Sequence, residues 1–273
     1  MKITELILLI GLGLSSITYG QTSSRIMALE RRLKRGGVDS LTIKECFSDP
    51  RFKINENLRE TKKAYAKVNY FDMTREFWKE ETFQRDLDTL VSKKGLFDKL
   101  EEEYSTKGIN RFLVVSLLGM ESNLGNWKGT HSIINAYASE YLDDKAKESR
   151  REWFYELLKI SLKRKKELCQ DCGVSDLFEI KGSWAGAFGH MQVMPDEYFS
   201  YFIDFNGDGK KNPFDLEDCI GSVATILISK GIKNTPEGIR KALYNYNPAE
   251  GYAEAIIEHA RVLEGKYGLF GLR

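Results

Sequence analysis

This 273-residue chain carries almost no net charge: 41 Lys and Arg stand against 40 Asp and Glu, a formal balance of +1. It therefore offers no broad electrostatic footprint for nucleic acid or an acidic membrane surface. Proline is scarce, five in all, and apolar residues rarely alternate with period two, which argues against a sheet-rich fold. No internal repeat is visible. The only histidines, His131, His190 and His259, stand in contexts that match neither a zinc hydrolase nor a Ser-His-Asp pattern. Cysteine is also sparse, with Cys46, Cys169, Cys172 and Cys219. Four cysteines allow three disulfide connectivities. The pair Cys169-x-x-Cys172 sits in KRKKELCQDCGVSDL, which reads as helix then loop rather than the βαβ setting of a redox motif. Cys46 and Cys219 are too isolated to suggest a zinc site, so a structural disulfide or free buried thiols are the expectation.

An apolar fraction of 42% and a charged fraction of 30% describe a soluble globular chain of one large domain, with or without a smaller appendage. The charge-dense run Lys163–Glu167 reads as a solvated helix face. Met1–Gly20 stands apart: Lys2 precedes the apolar run Leu6–Leu14, and Thr18 and Gly20 occupy the −3 and −1 positions of a cleavage site. The run is shorter than the ~20 apolar residues of a membrane span, so a secretory signal peptide is expected. Glu5 weakens the basic start, which makes an uncleaved anchor the alternative. No cysteine follows the run before Cys46, against a lipoprotein anchor. The mature chain is expected to begin near Gln21 and to work outside the cytoplasm.

The rest reads as helices. Arg25–Arg35 has helical spacing at Ile26, Leu29 and Leu33 and stops at Gly36-Gly37; Asp39 and Ser40 can cap a short helix through Cys46, broken by Asp49-Pro50. Glu76–Leu100 is a long amphipathic pattern, with Phe77, Trp78, Phe83 and Leu87 on its apolar side and an interruption near Gly95. Further helices are expected at Arg111, over Arg151–Leu168 and over Ile220–Ile228, the last ended by Gly231. A terminal stripe runs through Ala253, Ile256, Ile257, Ala260 and Leu263.

Four stretches carry the chemistry. In RFLVVSLLGMESNLG (Arg111–Gly125), seven of the nine residues from Phe112 to Met120 are large and apolar, covering every side of a helix. Glu121 closes that run. It is either a helix-end acid that reaches water or a carboxyl kept protonated by an apolar wall, ready to act as general acid on a glycosidic bond. No second carboxylate stands obviously near it in sequence, so only the fold can supply the partner a hydrolase would want. In KGSWAGAFGHMQVMP (Lys181–Pro195), closely spaced glycines let backbone approach a helix or a ligand, and Gln192 is the lone polar amide.

DFNGDGKKNPFD (Asp204–Asp215) places oxygen donors at calcium-loop spacing: Asp204, Asn206, Asp208, the carbonyl of Lys210, Asn212 and Asp215, with Gly209 at the sharp turn. A plain turn with Asp215 as helix cap is the competing reading. Asp at the twelfth position is shorter than the usual Glu. The fourth stretch, YNYNPAEGY (Tyr244–Tyr252), sets phenols beside amides.

In this order, these stretches resemble the B-type lytic murein transglycosylases, and Phe47–Phe52 (FSDPRF) is similar to that family as well. The resemblance covers about Ile26–Leu263. It implies a mainly α, lysozyme-like helical catalytic core over 21–273, with a small N-terminal helical subdomain (21–75) and an EF-hand-like metal loop. It also implies the family's catalytic acid at Glu121 and substrate contacts at Ser183, Gln192, Tyr246, Asn247 and Tyr252. The implied ion is a structural Ca²⁺ on Asp204, Asn206, Asp208, Lys210, Asn212 and Asp215, with no organic cofactor. The implied partner is peptidoglycan glycan strands in the periplasm, bound by a monomer. Glu121 would first protonate the leaving oxygen of the MurNAc–GlcNAc β-1,4 bond, then accept the proton of the C6 hydroxyl as a 1,6-anhydro ring closes. A hydrolytic muramidase and a non-catalytic wall-binding protein are the alternatives. His190-Met191 before Gln192 and Pro248 after Asn247 depart from many relatives and bear on subsite preference.

Overall fold

The computed structural model describes residues 19–55, 58–65, 70 and 79–269. The expected signal segment lies outside them except for Tyr19 and Gly20, as do Phe77 and Trp78. The chain opens with α1 (Tyr19–Arg35), α2 (Ser40–Ser48) and α3 (Leu58–Tyr65). Asp39 caps α2 as its side chain implies, accepting the Thr42 N–H at 2.8 Å.

The expected long helix before residue 100 is two, α4 (Glu80–Ser92) and α5 (Lys94–Tyr104). The break falls at Lys93 (φ −107°, ψ 21°), and Gly95 lies inside the first turn of α5. This lets Phe83, Leu87 and Leu90 of α4 and Phe97 and Leu100 of α5 all reach the core. The helix expected over Arg151–Leu168 is likewise divided at Arg164, into α8 (Glu148–Lys163) and α9 (Lys165–Cys172).

Between these pairs lies α6 (Arg111–Ser122), begun by Asn110, whose side chain accepts the Leu113 N–H at 2.9 Å. Val114, Val115, Leu117 and Leu118 have no exposed surface. Each side chain so buried contributes about 1.5–3 kcal/mol relative to exposure. α6 packs on α4, α5, α11 (Leu216–Ser229) and, most extensively, the last helix α13 (Tyr252–Leu269). A second layer pairs α7 (Ile133–Leu142) with α8. The N-terminal helices dock on this layer through polar side chains: Arg32 pairs with Glu152, and Lys62 reaches the buried Glu140 at 2.9 Å.

The one described ladder is short: β1 (His131–Ser132) runs antiparallel to β2 (Lys181–Gly182). It leads into the glycine-rich loop, where bridges from Gly182 to Phe188 and from Phe188 to Val193 fold the chain back on itself. Gly186 is required there: its φ is +87°, and a Cβ would lie 2.3 Å from the ring of Tyr137. The close approach these glycines permit is to the protein itself. After the loop come α10 (Pro195–Tyr201), α11 and α12 (Pro236–Tyr246).

Candidate active site

Glu121 stands in the last turn of α6, and the chain then reverses sharply. Asn123 caps the helix in the left-handed region (φ 55°, ψ 46°), and Leu124 follows at φ 53°. The only other non-glycine residue with positive φ among those described is Gln192, at φ 50°. Asn tolerates this conformation, as helix caps often require, but it costs about 1–2 kcal/mol for Leu124 and Gln192, and such strain gathers where function fixes geometry. Ser122 secures the turn by accepting the Gly125 N–H at 2.9 Å. Gly125 has φ +84°, and a Cβ there would lie 2.4 Å from the ring of His190. His190 therefore packs on the exit of the Glu121 helix, and its own N–H reaches the Pro213 carbonyl at 2.8 Å. Burial lowers its imidazole below the usual histidine range.

The Glu121 carboxyl is half-buried. Desolvation pushes it up to about 7; the hydrogen bond from Tyr252 opposes that rise and the negative charge of Glu197 adds to it. The Tyr252 hydroxyl donates to Glu121 Oε1. Tyr252 is fully buried, and the Tyr246 ring lies parallel to it with centroids 6.3 Å apart. Tyr246 in turn donates to the carbonyl of Met191, tying the helical tail to the glycine-rich loop.

Glu121, Gln192, Tyr246 and Asn247 line one cleft of about 340 Å³. Gln192 is fixed there by its Nε2, which donates to the Gly189 carbonyl at 2.8 Å. Tyr252 backs the cleft through Glu121. Ser183 is not among the residues lining this cavity, and its hydroxyl accepts the Ala187 N–H of its own loop at 3.1 Å.

The fold adds residues that local sequence did not single out. Trp153, Asp196, Glu197 and Lys230 line the same cleft. Asp196 accepts the Trp153 indole N–H at 3.1 Å, and Lys230 pairs with Glu197. Pro195-Asp196-Glu197 follows directly on the Gln192 loop, so an acidic first turn after that loop was the available signal.

The Asp204–Asp215 loop is curled by its own side chains. Asp204 accepts the N–H groups of Gly207 (2.7 Å), Asp208 (3.1 Å) and Gly209 (2.8 Å), and Asp208 accepts that of Lys210 at 2.9 Å. Asp215 caps α11 through the Glu217 N–H at 2.8 Å, and its other oxygen takes the Asn206 amide at 3.2 Å. Lys210 and Asn212 stand within the same loop. Among the described residues, no three His, Cys, Asp or Glu side chains converge as a metal site. The donor set itself is all oxygen, as a hard cation needs. Asp218, which the spacing did not flag, holds the loop from within: it is fully buried and accepts the N–H groups of Phe205 at 2.9 Å and Asn212 at 2.8 Å. The four cysteines are free and buried. Desolvation raises the thiols of Cys46 to about 12 and Cys169 to about 11, which suits inert core residues.

Residues 21–242 match the family described as Transglycosylase SLT domain. The chain is 34% identical over 134 residues to membrane-bound lytic murein transglycosylase B of Escherichia coli (strain K12). That match takes in 49% of this chain and spans 35% of the relative's length. The fold is similar to that of the Escherichia coli lytic transglycosylase Slt35 in complex with calcium (TM-score 0.73, 19% identity, 88% of this chain and 92% of that one). It is also similar to SltB3 from Pseudomonas aeruginosa in complex with NAG-NAM-pentapeptide (TM-score 0.72, 19% identity, 89% and 79%).

Proposed function

The chain belongs to the transglycosylase SLT-domain family, and from that premise we propose that it is a peptidoglycan lytic transglycosylase with Glu121 as its single acid and base. The observation that carries the reading is the Glu121 carboxyl itself, pushed up to about 7 in the cleft while Tyr252 orients one of its oxygens. Below that value the carboxyl holds a proton to give to the oxygen leaving C1 of the N-acetylmuramic acid. The carboxylate so formed accepts the proton of the same sugar's C6 hydroxyl as that oxygen bonds to C1. One C–O bond breaks, one forms, and no water enters. Gln192 and Asn247 are read as holding the acetamido sugars, Tyr246 as fixing the wall between them, and Ser183 as shaping the glycine-rich loop.

A hydrolytic reading has one observation in its favour, since Asp196 and Glu197 bring carboxylates to the cleft. Both are engaged, Asp196 by the Trp153 N–H and Glu197 by Lys230, so neither is poised to activate water. Mass spectrometry of muropeptides released from purified sacculi decides between them. The anhydro reading expects N-acetylmuramic ends one water lighter than the reducing sugar. Reducing ends alone would sink it.

The metal loop is read as a structural Ca²⁺ site built from Asp204, Asn206, Asp208, the Lys210 carbonyl, Asn212 and Asp215. The calcium-bound relative and the all-oxygen donor set support this. The ion would neutralise the carboxylates of Asp204, Asp208 and Asp215 and stiffen the segment between α10 and α11. Adding Ca²⁺ to chelator-treated protein is expected to raise Tm, and Asp208→Asn to blunt the rise; identical melting with and without the ion would leave the loop a plain turn. The enzyme is read as exported to the periplasm, acting on glycan strands as a monomer, with residues 21–75 forming a small helical subdomain on a catalytic unit that spans 21–273.

A further inference from the structure

Three polar side chains meet in the apolar interior between α4, α6 and α13: Asp86, Ser116 and His259, exposed by 0%, 2% and 1%. His259 Nδ1 lies 2.8 Å from Ser116 Oγ, and its Nε2 lies 3.1 Å from Asp86 Oδ2, in electrostatic contact though off hydrogen-bond alignment. The ring of Phe83 stacks on the imidazole, centroids 4.9 Å apart and 20° from parallel. The trio has the composition of a nucleophilic triad, yet its burial leaves no path for a substrate. Nor does stability explain it, because replacing buried polar groups by well-packed apolar ones is commonly neutral or favourable. What such a network supplies is fixed geometry.

The geometry leads to Glu121. The Arg85 guanidinium donates to Asp86 Oδ1 through Nε at 3.0 Å and again through Nη2, while its Nη1 donates to Asn123 Oδ1. It lies along α6, since a Cβ on Gly119 would sit 3.8 Å from Arg85 Nη2. Asn123 is the left-handed cap two residues beyond Glu121. A carboxylate anchored in the core thus grips, through one arginine, the left-handed cap that ends the Glu121 helix.

We infer that Arg85, anchored by the Asp86–His259–Ser116 cluster, is a positioning residue that clamps Asn123 and so sets the Glu121 carboxyl against the scissile bond. This rests on Glu121 being the acid and base. A displacement of about 1 Å at a reacting group can cost ~100-fold in rate. Because the clamp acts on the helix exit rather than on sugar contacts, its loss falls on kcat.

The test measures kcat, KM and Tm on soluble peptidoglycan strands for wild type, Arg85→Met, Arg85→Lys, Asn123→Gly and the Arg85→Met/Asn123→Gly pair. Arg85→Met is expected to lower kcat by ~10–100-fold at little-changed KM, with partial recovery in Arg85→Lys. Asn123→Gly keeps the left-handed turn but removes the acceptor, so it is expected to lower kcat comparably. The pair should then be no worse than either single change, as for two ends of one contact. Asn123→Gly also leaves the Arg85–Asp86 pair intact, so it reads the clamp even where Arg85→Met fails to fold. Undiminished kcat in Asn123→Gly, or single effects that multiply in the pair, overturns the clamp while sparing the reading of Glu121. Absence of turnover in the wild type overturns both.

Discussion

Glu121→Gln is expected to lower turnover of peptidoglycan by at least about a thousandfold, since in the proposed mechanism one group serves as both acid and base and general acid–base catalysis contributes ~10²–10⁴-fold. The amide keeps the carboxyl's shape and still accepts the Tyr252 hydroxyl, so wall glycan should bind with near wild-type affinity in a pull-down with sacculi. Activity within tenfold of wild type would place the acid elsewhere. The pH dependence follows from the same residue. The folded carboxyl titrates at about 7, above the ordinary value of 4.5. Wild-type kcat/KM should therefore fall as pH rises through that region and the proton is lost. Stability has the matching sign. Below pH 4.5 both folded and unfolded chains hold the proton and the residue contributes no difference. Between 4.5 and 7 the unfolded chain ionises first, so the native state progressively loses stability. Glu121→Gln removes that penalty. Its Tm should match wild type near pH 4 and exceed it near pH 8, an expectation checked by melting curves at the two values.

Asp218→Ala is expected to destabilise the protein by ~3–5 kcal/mol, because one buried carboxylate satisfies several backbone donors at once and each orphaned donor costs ~1–3 kcal/mol. Asp218 is fully buried and accepts from Phe205 and Asn212 at 2.9 and 2.8 Å, with a longer contact from the Asn206 N–H at 3.4 Å. Burial raises its carboxyl even so, the backbone bonds pulling the other way. Asp218→Asn should come closer to the alanine variant than to wild type: its oxygen can still accept from Phe205, but its NH₂ faces the Asn212 donor. Urea denaturation at neutral pH measures the difference. A loss below about 1 kcal/mol would mean that water takes over these donors. The same substitution unpins the Asp204–Asp215 loop, so any Tm rise on adding Ca²⁺ should shrink with it.

What could be read from residue order follows from the range of the forces involved. Asp39 as cap, the stop at Gly36-Gly37, the apolar run ending in Glu121 and the alternating oxygens of Asp204–Asp215 are local signals. Each depends on side chains within a few positions of one another, so the sequence by itself determined the helical class, the candidate acid and the turn-forming loop. The interruption expected near Gly95 falls at Lys93, whereas the break at Arg164 is not legible in the sequence, because periodicity continues across it and only packing of the flanking apolar faces divides the two helices. Tertiary structure alone decided the rest. It set Tyr252 on Glu121 across 131 residues of sequence, drew Glu197 and its partner Lys230 into the cleft, and left Ser183 outside the cavity lining. It put Asp218 under the Asp204–Asp215 loop, and joined Arg85 and the buried His259 cluster to the end of the Glu121 helix. Hydrogen bonds and desolvation act over a few ångströms, and chain closure alone chooses which distant residues come within that reach. The sequence could name a carboxyl; its proton affinity, its orientation and its supports belong to the fold.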